Sequence, residues 1–137
     1  MAVAVAVAHG DVREWFDEFL EAFAACARGE EDTASLLDYY GVPLLLTTDS
    51  GYFAVTSGDQ VVAAMQQLVD PLRAAAYDRS EILDFEVSIL NSKSALYRLT
   101  YSRQRSDGSE ISQLIATYFV TIGPIGRCLS VSALHSR

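Results

Sequence analysis

The residues that could carry acid–base or nucleophilic chemistry are few and far apart. The histidines are His9 and His135, and the cysteines are Cys26 and Cys128. Neither pair has the short spacing that brings two ligands to one metal, so no metal site is expected. One well-placed histidine makes no nucleophile–base–orienter set, so Ser-His-Asp chemistry is not expected either. Gly123-Pro124-Ile125-Gly126 reads as a turn between strands and not as a phosphate-cradling loop, and no cofactor is implied. His135 remains as the candidate general base at neutral pH, with a solvent-facing terminal histidine as the plainer reading. Tyr97, Tyr101 and Tyr118 offer hydroxyls that can orient a polar group of a ligand. Asp38, Asp49, Asp84 and Glu86 lie before a strand, at a turn tip or on a polar strand side, and none is drawn into an apolar face. Arg98 reads as a surface or partner contact. His9, beside the start of the chain, is not expected to take part.

The setting of these residues is an acidic, apolar chain of 137 residues with net charge −8. Its length suits one domain, read as residues 11–137 behind a flexible extension, 1–10. Half of the residues are hydrophobic, enough for a full core. The negative balance, with no basic patch or recognition motif, argues against nucleic acid and against an anionic membrane as partner. Met1 to Ala8 alternates Ala and Val. It lacks the basic start of a signal peptide and is too short to span a bilayer. Its alternation and lack of Pro also suit a strand added to a partner. Two isolated cysteines fit free thiols in a reducing, cytoplasmic setting.

The elements that must position the tyrosines and His135 can be read in order. From Asp11, Trp15, Phe16, Phe19, Leu20, Phe23, Cys26 and Ala27 recur at three and four, the period of an amphipathic helix. Asp11 and Glu14 have capping-box spacing, and Gly29 is the stop. The aromatic stripe reads as core packing against a sheet, or as the wall of a ligand cavity. A second helix is expected at Thr33 to Tyr40, capped by Asp32 or Thr33. Val42 to Thr48 and Tyr52 to Thr56 read as a hairpin around Asp49-Ser50-Gly51. Ser57 and Gln60 open a third helix, with Val61, Met65, Leu68 and Leu72 on one stripe. Pro71 should kink or end it.

The last third alternates with period two: Leu83–Ile89, Ala95–Arg103, Ile111–Ile122 and Cys128–His135. Asn91-Ser92-Lys93, Ser106-Asp107-Gly108 and Gly123–Gly126 punctuate it as turns. Strands of ~13 residues span ~43 Å at ~3.3 Å each, while a domain this size has a radius of gyration near ~14 Å. The sheet is therefore expected to be strongly curved or bulged. By parity, one face carries Ala95, Tyr97, Leu99, Tyr101; Leu114, Ala116, Tyr118, Val120; and Leu129, Val131, Ala133, His135. It is the more apolar face and is assigned to the core. The other, mixed face suits a homodimer surface.

This order gives an α+β class: three N-terminal helices and a short hairpin on a strongly curved, mainly antiparallel sheet. With the aromatic first helix, Leu36-Leu37-Asp38-Tyr39-Tyr40, the Leu72-Arg73 to Tyr77 helix end and Thr117-Tyr118-Phe119-Val120, the chain resembles the nuclear transport factor 2-like, or cystatin-like, α+β cone superfamily. Its likeness is to small bacterial members of the SnoaL-like kind. The resemblance implies helices over the concave sheet face, an apolar pocket between them, and homodimers through the convex face. It implies Trp15, Phe19, Tyr40, Tyr97, Tyr101, Tyr118 and His135 as pocket-lining. Members include ketosteroid isomerases, polyketide cyclases, limonene epoxide hydrolase, dehydratases, and binding or assembly modules, so the fold does not choose among them. Where isomerases of this kind carry a carboxylate base on the early strand, this chain has Leu44-Leu45-Leu46. The expectation is a homodimer that binds a small, mostly apolar molecule. The alternatives are an enzyme on a lipophilic substrate and a module of assembly or regulation.

Overall fold

A computed structural model describes residues 9–123 and 126–136, with side-chain environments from Arg13 to Ile122 and from Cys128 to Ser136. Met1 to Ala8 and the Pro124-Ile125 pair of the expected turn lie outside the described residues. The elements are α1 (His9–Ala27), a 3₁₀ helix (Thr33–Asp38), β1 (Tyr40–Thr48), β2 (Gly51–Val55) and α2 (Gly58–Ala74). The strands β3 (Tyr77–Asn91), β4 (Ser94–Arg105), β5 (Glu110–Gly123) and β6 (Gly126–Ser136) follow. No described helix is long and apolar enough to cross a membrane.

The aromatic stripe makes α1 a core helix. Phe16, Phe19, Phe23, Cys26 and Ala27 are buried, while Glu14, Asp17, Glu18 and Glu21 stay exposed. The helix begins at His9, ahead of the expected cap at Asp11. It stops where Gly29 takes φ 80°. There the N–H of Glu30 donates to Ala25 O at 2.9 Å and that of Gly29 to Cys26 O at 3.0 Å, satisfying the last carbonyls.

The expected second α-helix is instead a six-residue 3₁₀ turn capped by Asp32, whose carboxylate accepts from Ala34 N at 3.0 Å. So few residues separate the cap from Tyr40, where β1 begins, that an α-helical nucleus has no length over which to propagate. Helix α2 carries the anticipated cap: Ser57 Oγ accepts from Gln60 N at 3.2 Å, and Gln60 Oε1 reaches back to Thr56 N at 2.7 Å. Pro71 does not end α2, which runs on to Ala74. It falls in the final turn, so little helix follows the lost bond to the carbonyl of Gln67.

The six strands form one sheet in the order β2-β1-β6-β5-β4-β3. All neighbours are antiparallel except β1 and β6, which run parallel. The last strand thus lies in the middle of the sheet and joins the β1–β2 hairpin to the meander. Gly41 permits this junction, because a Cβ there would meet Cys128 Sγ at 2.8 Å and Leu129 O at 3.3 Å. Strand β3 is longer than the alternation from Leu83 suggests. Its polar start, Tyr77 to Glu81, pairs with Ser102 to Arg105 along the solvated sheet edge.

The strong curl expected from strand length is not seen; the sheet stays open. Register shifts on β3 and β5 take up part of the length. The rest runs on into solvent, leaving Phe85, Ile89, Leu90 and Leu96 between 36% and 47% exposed.

Parity holds on β4 and β5: Ala95, Tyr97, Leu99, Tyr101, Leu114, Ala116, Tyr118 and Val120 are all buried. It fails on β6. Val120 pairs with Leu129 but Phe119 pairs with Val131, so Ser130 is an extra residue and forms a bulge. Beyond it the faces exchange. Ser132 is fully buried and Leu134 turns inward, while Val131, Ala133 and His135 lie opposite Phe119, Thr117 and Ile115 on the outer face.

Both helices lie on the inner face. Phe16 packs on Tyr97 and Tyr118, and Leu68 of α2 shares a void with Tyr101 and Tyr118.

Candidate functional site

The inner face builds an aromatic interior between α1 and the strands. Phe16 stacks on Tyr97 with centroids 4.2 Å apart and planes at 20°. Phe19 meets Tyr40 edge-on at 5.4 Å and Tyr118 at 6.0 Å. Such tilted and edge contacts are the favoured aromatic geometries, and they fill space densely. What is left is a void of about 10 Å³ lined by Phe19, Phe23, Tyr40, Tyr101, Tyr118 and Leu134, with Arg103 among its walls. That is about the room one water needs.

Arg103 also lines a cleft of about 210 Å³ that opens to solvent at the sheet end, with Leu68, Leu114, Leu134, Thr48, Asp49 and His135. It follows Tyr101 by one inward position on β4, so the strand directs its half-buried side chain to the interior. Its guanidinium carbon lies 5.9 Å from the centroid of Phe23 and 5.6 Å from that of Tyr101. Its Nη2 approaches the Tyr101 hydroxyl at 3.5 Å. Its Nε is buried with no hydrogen-bond partner, a costly state for a charged donor.

Tyr40, Tyr118 and Tyr77, near this cation, are held neutral. Burial pushes Tyr40 up, the neighbouring Tyr101 adds to this, and Arg103 opposes it. Burial likewise raises Tyr118 well above the ordinary phenol value, with Tyr101 and Tyr40 adding and Arg103 opposing. Burial raises Tyr77 too, against its 2.8 Å hydrogen bond with Ser80 Oγ and the nearby Arg103. At neutral pH the interior therefore presents O–H donors and one fixed positive charge. That set offers hydrogen-bond donors to a polar or anionic group. The buried polar and charged residues among those described are Thr33, Ser94, Ser102 and Ser132, so no carboxylate is buried there.

Four of the seven residues singled out from the sequence, Phe19, Tyr40, Tyr101 and Tyr118, come together at the void. Trp15 is half-buried against Tyr39 at 5.7 Å and stands apart from it. Tyr97 is fully buried between Phe16 and Phe85, away from both void and cleft. His135 is displaced by the β6 bulge. It is exposed at the cleft rim with Nδ1 3.0 Å from Ser136 O, and it does not enter the interior as a base. Arg98 sits exposed on the outer face opposite Glu86 and Thr117. Asp49, at its turn tip, accepts from Ser136 N at 2.8 Å and pins β6 to the hairpin. Arg103 is the residue that reading by alternation passed over, although it continues the series Ala95, Tyr97, Leu99, Tyr101. Among the described residues no group of three or more His, Cys, Asp or Glu could hold a metal ion.

The family described as NTF2-like protein (DUF6841) matches residues 10–135. The chain belongs to that family. No curated protein matches this NTF2-like chain. Solved structures share its fold. A Nostoc punctiforme protein of unknown function with a cystatin-like fold superposes with TM-score 0.73 at 12% identity, over 95% of this chain and 93% of its own. A Xanthomonas campestris protein described as a calcium/calmodulin dependent protein kinase II association domain gives 0.68 at 16%, over 93% and 86%. A protein from Catenulispora acidiphila in complex with S-DNPA gives 0.68 at 10%, over 93% and 92%. At such identities the likeness is one of fold. The NTF2-like assignment agrees with the architecture: helices on one face of a mostly antiparallel sheet around an aromatic interior.

Proposed function

We propose that this NTF2-like domain is a homodimeric binding module that takes a small, mostly apolar molecule at the cleft and carries out no acid–base reaction on it. The observation that carries the reading is the cleft itself. It is open to solvent, backed by Leu68, Leu114 and Leu134, and shares Leu68, Arg103 and Leu134 with the small void of an interior in which no described carboxylate is buried. An isomerase, cyclase or dehydratase of the SnoaL-like kind needs such a carboxylate, and His135 at the rim does not replace it. A neighbour in fold, the Catenulispora acidiphila protein in complex with S-DNPA, is consistent with this use.

The outer sheet face supports the dimer. Leu45, Ile115, Phe119 and Val131 form its apolar centre and are half-buried, with Leu96 more exposed. Both described helices pack on the other side, and an antiparallel sheet with an apolar bare face gains by pairing it. The free thiols of Cys26 and Cys128 suit a reducing, cytoplasmic setting.

Native mass spectrometry of freshly purified protein, with light scattering after gel filtration, tests both parts. A dimer carrying a small adduct is the expected result. Phe119→Glu is expected to give a folded monomer, because it places a charge on the paired face without touching the core. A wild-type monomer would sink the dimer reading. A second reading is favoured by the small size of the void, about 10 Å³: an assembly module whose interior is plugged by side chains. The kinase association domain among its structural neighbours fits that alternative. A dimer or higher assembly that never carries or takes up a small molecule would decide for it.

A further inference from the structure

We propose that the cleft is a site for small organic acids, with Arg103 as the anchor for the ligand's carboxylate. This rests on the binding-module reading above and names its ligand class. The argument begins from an unsatisfied cation. Arg103 forms no ion pair among the described residues, although the chain carries 18 Asp and Glu against 10 Lys and Arg. Its five described counterparts in ion pairs or long-range carbonyl bonds differ. Arg28 meets Glu21 and Glu30, Arg13 meets Asp17, Arg79 meets Asp78, Arg73 donates to Cys26 O, and Arg105 donates to Ala75 O.

Arg103 has only ring faces, a long contact to Tyr101 and an orphaned Nε. Nε and Nη2 form one edge of the guanidinium, the edge that a carboxylate takes with two parallel hydrogen bonds. In Arg103 the Nε of that edge has no hydrogen-bond partner, and Nη2 has the Tyr101 hydroxyl at 3.5 Å. Phe23 and Tyr101 hold the cation by their ring faces and shield it from bulk water, which strengthens any charge pair formed there.

The surroundings set the rest of the ligand. The void behind Arg103 has room for about one water, so the body of the ligand stays in the 210 Å³ cleft. Leu68, Leu114 and Leu134 give that body an apolar bed, and Thr48 and Ser50 give it a polar rim. Asp49, the cleft's own carboxylate, is already engaged by Ser136 N and is not within ion-pair distance of Arg103. The ligand class that fits is a monocarboxylate with a short aliphatic or single-ring body.

The test is calorimetric titration of the full chain with hexanoate and benzoate against hexanamide and benzamide, which keep the shape and lose the charge. The acids are expected to bind, and the amides about tenfold or more weaker, the ordinary value of a hydrogen-bonded charge. Arg103→Gln is expected to bring the acids down to the level of the amides. Circular dichroism shows whether that variant is folded. Should it not fold, backbone amide shifts of the wild-type chain on benzoate addition carry the test, and they are expected to cluster at Leu68, Arg103, Leu134 and Ser136. Equal binding of acids and amides, or shifts elsewhere, would overturn the carboxylate assignment and leave the binding module standing. Binding of neither class would overturn both.

Discussion

Tyr97 lies fully buried between two rings, and its hydroxyl has no partner among the described residues. A buried hydroxyl without a partner contributes nothing that its removal would lose. Tyr97→Phe is therefore expected to leave stability unchanged or to raise it by up to about 1 kcal/mol in urea unfolding. The same burial raises its phenol from 10.0 to about 12, against the pull of Arg13 and with a push from Asp17. The folded state holds this proton more tightly than the unfolded state does. Its stabilisation is thus complete below pH 10.0 and is lost as pH rises toward about 12. Melting temperatures across that window are expected to fall, and Tyr97→Phe to flatten part of the fall. Tyr118 is also buried at the aromatic centre, 5.1 Å from Phe16. Tyr118→Asp places an unpaired charge there and should cost about 4 kcal/mol or more, a large part of the stability of a domain. A normal melting temperature would refute that packing. Both tyrosines were legible in the alternation of their strands. Arg103 was not, because a charge after an apolar run reads as the end of a strand and not as its next inward position.

At the level of elements, local chemistry was the most legible. The Ser57 and Gln60 cap forms as spaced, and Ser57→Ala is expected to cost about 1 kcal/mol by denaturant titration. Gly29 stops α1 for the reason its type suggests. The misreadings have one cause, that tertiary pairing decides what a short pattern becomes. Thr33 to Asp38 has helical character but too little length for an α-helix. Tyr77 to Glu81 lies ahead of the alternation from Leu83 and becomes strand because β4 supplies its partner. The bulge at Ser130 has no composition signal, because Leu129 to His135 alternates without a break. Its presence is recorded only in the register with β5, and it alone moves His135 from the interior to the rim.

For the whole molecule, the class, the meander and the apolar inner face followed from periodicity, while openness of the sheet did not. Strand length alone cannot distinguish a sheet that wraps from one that overhangs. The bare outer face makes the dimer reading testable by mass action: melting temperature is expected to rise with protein concentration, and Phe119→Glu to abolish that dependence. The central place of β6 has a further consequence, in the order of manufacture. A ribosome delivers the β1–β2 hairpin early and β3, β4 and β5 later, and these pieces share no strand pairing until β6 emerges. Until then the sheet is two unpaired pieces, with the edges of β1 and β5 both unsealed. Cooperative folding therefore waits on the last strand, and nascent chains halted before Gly126 would be the ones that proteases cut and chaperones hold.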